Sequence, residues 1–356
     1  MFFKAKQMFS IDIGIDLGTA TVLVFVEGKG IVLNEPSVVA VDTSNDVITK
    51  IGKDAQAMLG RNPAHIDVIR PLKEGVISRY DVTQSMIQYF IRRACGNAVF
   101  PPRVVICIPT GISEVEARAV IDAGTQAGAK KTYLIDEPVA AALGAGMDIY
   151  SPVGNMIVDI GGGTTDVAVI SLGGVVVSES IKFAGDKFDE AIMRYVRRKH
   201  NVLIGERTAE IIKIRVGAVY EHSEPREIKV KGRCLLQGLP KEITVSSREM
   251  LEALMEPISE ILDTICSVIE RTPPELIGDI LKGGIVLTGG SSLLYGIDRL
   301  IEDLTGIKTR IAEKPELCVI RGTGKAIEFL DNMPEGILDL SRIRPKGRMS
   351  TAPKKQ

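Results

Sequence analysis

The chain has 356 residues, 45% of them hydrophobic and 25% charged, with a formal net charge of −1. That length predicts two or three domains around a large core, and the near-zero charge excludes a global electrostatic attraction to nucleic acid. Trp is absent and aromatic residues make up only 4%, too few for a base-stacking platform, so nucleic acid is not an expected partner.

The first ten residues carry Phe2, Phe3, Met8 and Phe9 with Lys4 and Lys6. Residues 11–42 read as a β-meander. A strand ends in Asp16-Leu17-Gly18-Thr19-Ala20, a second runs over Val22–Val26, and Glu27-Gly28-Lys29-Gly30 turns into a third. From 43 to 79 the composition is mixed, with Pro63 and Pro71, and predicts a small excursion. Val82–Ala94 reads as a helix that Phe100-Pro101-Pro102 breaks. Val104–Ile108 is a continuous apolar run, suited to a strand buried on both faces. Ser113 and Glu116 form a capping box for a helix that Gly128 closes, with Ala119, Ala123 and Ala127 on a close-packing face. Tyr133–Ile135 is another strand, and Glu137-Pro138 opens the next helix with Pro in its tolerated first turn. Strands alternating with helices give an α/β architecture.

A second meander follows: Met156–Val158, then Asp159-Ile160-Gly161-Gly162-Gly163-Thr164-Thr165-Asp166, then Val167–Ile170, then Leu172-Gly173-Gly174. Helices are expected over 188–199 and 208–219, with charged strands near 226–231 and 241–246. Apolar residues at 251, 254, 258, 261, 265 and 268 predict a long helix bent near Pro257. A strand over 284–287 ends in Thr288-Gly289-Gly290, and helices follow Ser292 and span 323–330. The tail 341–356 holds six Lys or Arg and no acid, which predicts disorder. The five cysteines form no C-x-x-C pair and read as reduced thiols of a cytosolic protein. No apolar run reaches membrane-spanning length, and the N-terminus lacks a signal-peptide core.

The chemistry concentrates in the two glycine turns. Three adjacent glycines remove every Cβ from the bend, so backbone N–H groups can wrap an anion, and Thr164 adds a hydroxyl. Asp159 and Asp166 are unsuited to direct phosphate contact but suit a Mg²⁺ ion held through water. Gly18 and Thr19 beside Asp16 repeat the arrangement, so two half-proteins would clamp one nucleotide between them. A P-loop and a dinucleotide fingerprint are both missing, and the three histidines lack metal-ligand spacing.

These two loops resemble the phosphate motifs of the actin/Hsp70/sugar-kinase ATPase superfamily. With Leu33-Asn34-Glu35-Pro36-Ser37-Val38-Val39-Ala40, Asp136-Glu137-Pro138-Val139-Ala140-Ala141-Ala142, Ile204-Gly205-Glu206-Arg207-Thr208-Ala209-Glu210 and Leu287-Thr288-Gly289-Gly290, the chain resembles the bacterial actins of the MreB/Mbl family from about residue 11 to 330. The resemblance implies an actin-like ATPase fold: two similar halves, each a β-meander sheet flanked by helices, plus two small inserted subdomains. The expected divisions are IA (1–34, 80–150 and 318–340), IB (35–79), IIA (151–185 and 248–317) and IIB (186–247). It implies ATP with Mg²⁺ as cofactors. Gly18, Thr19, Ala20 and Thr21 would hold phosphate from one side, and Gly161, Gly162, Gly163 and Thr164 from the other. Asp16 and Asp159 would hold the waters of Mg²⁺. Gly289, Gly290, Ser291 and Ser292 would border the adenine. Glu210 and Lys213 are placed near the ribose by resemblance alone; by spacing they read as a solvated ion pair. The chain departs from the family pattern at Thr21, where Asn is common, and at Ser291-Ser292, where Gly-Ala is usual.

Glu137, at a strand end and helix start, is the expected catalytic residue, orienting or deprotonating the water that attacks the γ-phosphate. Thr164 would report whether that phosphate is present. The resemblance further implies head-to-tail filaments, single or paired, lying on the inner face of the cytoplasmic membrane and working with membrane proteins of cell-wall synthesis. Phe2, Phe3 and Phe9, with Val99 and Phe100 in a loop that resembles the family's membrane-inserting one, are the expected anchors. A small-molecule kinase and an Hsp70-like chaperone ATPase are the alternatives on this fold.

Overall fold

A computed structural model describes residues 11–96, 100–221, 224, 226–328 and 330, and the backbone of 337–338. The expected anchors Phe2, Phe3, Phe9 and Val99, and the basic tail, lie outside the described residues.

The first half is built on β1 (Ile13–Leu17), β2 (Thr21–Val26) and β3 (Gly30–Pro36), an antiparallel meander. β4 (Val39–Asp42), β5 (Val47–Ile51) and β6 (Ile66–Ile69) form a small separate sheet, and β7 (Leu72–Lys73) pairs with β8 (Val76–Ile77) in a hairpin. β9 (Arg103–Ile108) and β10 (Lys131–Asp136) then add parallel to β1. The second half repeats the plan. β11 (Asn155–Ile160), β12 (Thr165–Ser171) and β13 (Gly174–Ile181) are its meander. β14 (Val202–Leu203), β15 (Glu227–Cys234) and β16 (Pro240–Ser246) are its small sheet. β17 (Ile285–Thr288) and β18 (Thr309–Ile311) add parallel to β11. β19 (Ile337–Leu338) returns to pair with β10. The sheet orders β19-β10-β9-β1-β2-β3 and β13-β12-β11-β17-β18 are therefore the same design used twice.

The inner strands read as continuous apolar runs because both faces are covered. Val104–Ile108 and Met156–Ile160 are buried throughout. One face of the first sheet packs on helix Tyr80–Cys95 through Met86, Ile87 and Phe90. In the second half, helix Ser247–Arg271 buries Leu254, Ile258, Ile261 and Ile265, the stripe expected from its spacing. Capping boxes at Ser113 and Ser246 fix the starts of two helices.

Between the halves lie two helices, Glu137–Gly144 and Cys318–Glu328, whose apolar residues join Val105, Cys107 and Ile135 of the first sheet to Ile157, Ala168 and Ile170 of the second. They meet backbone to backbone. A Cβ on Gly322 would lie 1.7 Å from the Ala140 carbonyl oxygen, and one on Gly144 would lie 1.8 Å from that of Cys318. The second helix starts at Cys318, five residues before the expected 323. Gly322 and Gly324 weaken a helix by propensity, yet the close crossing excludes larger residues at 322. The helix expected after Ser292 is Ile297–Thr305, preceded by a short 3₁₀ turn, Gly290–Leu293, that holds Ser292 itself.

Candidate functional site

The two halves face each other across a cleft of about 350 Å³. β1 delivers Asp16 and the Gly18–Ala20 turn to one wall, and β11 delivers Asp159 and the Gly161–Thr164 turn to the other. The two turns touch. A Cβ on Gly162 would lie 2.7 Å from the Ala20 Cβ, and one on Gly163 would lie 2.5 Å from Thr19 Oγ1. On its other side the glycine turn is tied down, for the Gly185 and Asp186 N–H groups donate to the Gly161 and Gly162 carbonyls at 3.2 and 2.7 Å. Thr21 also lines the cleft.

The contact between turns makes a prediction. A methyl at position 163 must push the phosphate loops apart, and overpacking of this kind costs about 1–3 kcal/mol. Gly163→Ala is expected to weaken nucleotide binding roughly tenfold or more, read by titration with a fluorescent ATP analogue. Unchanged affinity would show that the loops do not hold one ligand together.

Asp16 and Asp159 form a crowded pair. Burial, with each other's charge as a lesser cause at Asp16, pushes the Asp16 carboxyl up to about 7, and burial also raises Asp159 to about 7. Asp159 Oδ1 is buried without a hydrogen-bond partner. The unpartnered Asp159 oxygen, with the Asp16 carboxyl on the other wall, fits a divalent cation that keeps several waters. Asp166, expected beside the ion with Asp159, stands opposite Asp159 across β11 and β12 but turns away from the cleft. It is fully buried and is not among the cleft-lining residues; Thr110 N–H and Oγ1 donate to its Oδ1 at 2.9 and 3.0 Å.

Glu137 opens its helix at the end of β10 and lines the cleft. Burial, then the charges of Asp166, Asp16, Asp159 and Asp136, holds its carboxyl well above the usual range. Thr164 lines the same cleft.

At the opposite end, Gly289 takes φ +82°, where a Cβ would lie 2.2 Å from the Ile160 carbonyl oxygen. Gly290 and Ser291 line the cleft, and Ser291 Oγ donates to the Gly161 carbonyl at 2.7 Å. Ser292 does not line it. Its side chain is fully buried, donating to the Gly289 carbonyl at 2.7 Å, so its role is to hold the turn. Glu210 and Lys213 both reach the cleft. Lys213 Nζ, however, donates to Asp189 Oδ2 at 2.8 Å and to the Gly185 carbonyl at 3.0 Å, so the i,i+3 pair with Glu210 is replaced. Sequence reasoning missed Asp189, whose signal was an acid in register with buried Ile192 and Val196. It also missed Ile214, Glu316 and Leu317 in the cleft wall, and the Arg70 and Gly75 contributions. Phe100, of the expected membrane loop, is 49% exposed.

Comparison with known proteins accords with this geometry. The family model described as MreB/Mbl protein matches residues 10–335. The chain belongs to the MreB/Mbl family. MreB/Mbl relatives match it along nearly their whole length. The cell shape-determining protein Mbl of Bacillus subtilis (strain 168) is 50% identical over 329 residues, 92% of this chain and 99% of the relative. The cell shape-determining protein MreB of Escherichia coli (strain K12) is 50% identical over 337 residues, 93% and 97% of the two chains. Among solved structures, MreB5 of Spiroplasma citri bound to ADP superposes with a TM-score of 0.87 at 38% identity, covering 91% of this chain and 98% of that one. The MamK double helical filament superposes with a TM-score of 0.77 at 21% identity, covering 90% and 99%, a likeness of fold.

Proposed function

We propose that the chain is a bacterial actin that binds and hydrolyses ATP with Mg²⁺, assembles head-to-tail, and helps set cell shape. The observation that carries the ATP reading is the contact of two glycine turns across one cleft, each beside an Asp that lines it. Solved relatives from Spiroplasma citri bound ADP and AMPPNP. Backbone N–H groups and Thr19 and Thr164 hold the phosphates; Asp16 and Asp159 hold the hydrated cation, which when bound offsets phosphate charge. Glu137 orients the attacking water and takes its proton. Lys213, fixed by Asp189, and the bare backbone of Gly289-Gly290 receive the ribose and base. The kinase and chaperone readings are not favoured, because relatives matched over nearly the whole chain are cell shape-determining proteins. Release of inorganic phosphate from ATP by the purified chain tests the reading.

Membership of the family supports assembly of this chain. A heterologous contact leaves two open ends and makes a filament. Large apolar side chains at the β15–β16 turn, Leu236 at 80% and Leu239 at 61% exposure, are available for it. Membrane contact is proposed through Phe2, Phe3 and Phe9 and through Val99-Phe100, on the inner face of the cytoplasmic membrane beside the proteins of cell-wall synthesis. One Phe contributes at most about 1.5–3 kcal/mol, so a monomer binds weakly and a filament firmly. The chain is expected to pellet with ATP and to co-sediment with anionic liposomes. Deleting residues 1–9 together with Val99→Ser and Phe100→Ser should abolish only the second. Undiminished liposome binding after both changes contradicts the anchor; a chain that stays monomeric with ATP on lipid contradicts assembly.

A further inference from the structure

The helix layer at the cleft floor is not the only connection between the halves. Residues 70–75, which run from the end of the small sheet through β7 to the turn of the β7–β8 hairpin, reach across to the second half. Arg70 Nη1 pairs with Asp186 Oδ1 at 2.8 Å, with both side chains one-third exposed. Both residues line the cleft. Glu74 lies 3.5 Å from Lys182 Nζ and 4.0 Å from Lys187 Nζ. Lys182 follows β13, and Asp186 and Lys187 lie in the first turn of helix Gly185–His200, so every pair crosses from one half to the other.

The turn itself is built for close approach. Glu74 and Gly75 take φ of 52° and 75°, the left-handed pair of a two-residue hairpin that ordinarily selects Asn-Gly or Asp-Gly. Glu is a poor choice for that backbone, and its longer side chain is the one that meets the two lysines. Gly75 N–H donates to Thr19 Oγ1 at 3.2 Å. A Cβ on Gly75 would lie 2.8 Å from Thr164 Cγ2. One turn therefore touches a threonine of each phosphate loop, while its flanking charges grip the opposite half.

We propose that residues 70–75 form a latch over the nucleotide cleft, and that nucleotide enters and leaves only when the Arg70–Asp186 and Glu74–lysine pairs part. The proposal rests on the nucleotide site above. Exposed ion pairs are weak individually, but Arg70–Asp186 is short and half-sheltered, and the three pairs and the Gly75–Thr19 bond must open together. A latch has a kinetic signature that a ligand contact lacks. Loosening a contact to nucleotide speeds departure alone; loosening a gate speeds both arrival and departure.

The experiment is stopped-flow binding and displacement of a fluorescent ADP on the full chain, at protein concentrations below assembly. Arg70→Ala and Asp186→Ala are each expected to raise the association and dissociation rates together, roughly 3–10-fold, as loss of a sheltered pair implies. The equilibrium affinity should change by less than about threefold, the ratio of two rates moved alike. The exchanged pair Arg70→Asp/Asp186→Arg should return both rates towards the starting values. Lys182→Ala/Lys187→Ala, at exposed or half-exposed side chains that pose little risk to folding, should shift both rates the same way by less. Dissociation rising alone, unchanged rates in all variants, or an exchanged pair as fast as the single variants would overturn the latch. A starting protein that binds no nucleotide would overturn the site, and the latch with it.

Discussion

Replacing Glu137 by Ala is expected to slow ATP hydrolysis by roughly 10²–10⁴, the scale for loss of a general base, while ATP remains bound. Glu137 is the acid at the first position of its helix, held where β10 ends at the cleft. The phosphate turns and the ribose end are untouched by its removal, so binding survives. Its raised pKa sets the pH profile. Burial and the neighbouring charges, Asp166 first, favour the protonated form, and only the ionised form can accept a proton from water. Hydrolysis should therefore rise with pH, through a midpoint above the ordinary carboxylate range. Asp166→Asn removes the largest of those charges and should move the rising limb to lower pH. Phosphate release measured across pH, with binding of a fluorescent nucleotide as the control, checks both statements. An Ala variant that folds, binds and hydrolyses at the original rate would remove Glu137 from the reaction.

What the sequence made legible was local. Each phosphate turn sits in one contiguous stretch with its Asp, so residue type and order alone exposed the repeat, and β1–β3 and β11–β13 fold as that repeat implies. The capping box at Ser113 is read within four residues, whereas the equivalent box at Ser246 was overlooked although its Ser and Glu249 lie just as close. The parts that were not legible depend on partners far away in the chain. Lys213 is claimed by Asp189, 24 residues earlier, rather than by Glu210. Arg70 meets Asp186 across 116 residues. Gly322 weakens a helix by propensity but permits a helix crossing against Ala140 that no local rule contains. Ser291 and Ser292 are adjacent and chemically identical, yet one faces the cleft and the other is buried beneath it. The direction of a side chain in an irregular turn is set by tertiary hydrogen bonds, which pattern reasoning does not see.

The ligand-free protein is expected to lose stability as pH rises from about 4 to about 7, the reverse of most carboxylates, because the folded state holds Asp16 and Asp159 near 7 against an ordinary 3.8. Between those values the unfolded chain has released the two protons and the folded chain still binds them. The unfolded state then binds fewer protons, so the unfolding free energy falls with pH until both carboxyls are ionised in both states. At about 1.36 kcal/mol per unit, each shift from 3.8 to about 7 corresponds to roughly 4 kcal/mol, an upper bound for either carboxyl. Mg²⁺ with ADP should act in the opposite sense. A cation held by these carboxylates needs them ionised and offsets their repulsion, so its stabilising effect should grow over the same window. Thermal midpoints at pH 5 and pH 8, with ADP plus Mg²⁺ and with ADP plus chelator, give the comparison. The Mg²⁺-dependent increment should be larger at pH 8, and Asp16→Asn or Asp159→Asn should shrink it and flatten the ligand-free slope. A slope unchanged in both variants would place the titration elsewhere, and an increment unchanged in both would remove these two carboxylates from the cation site.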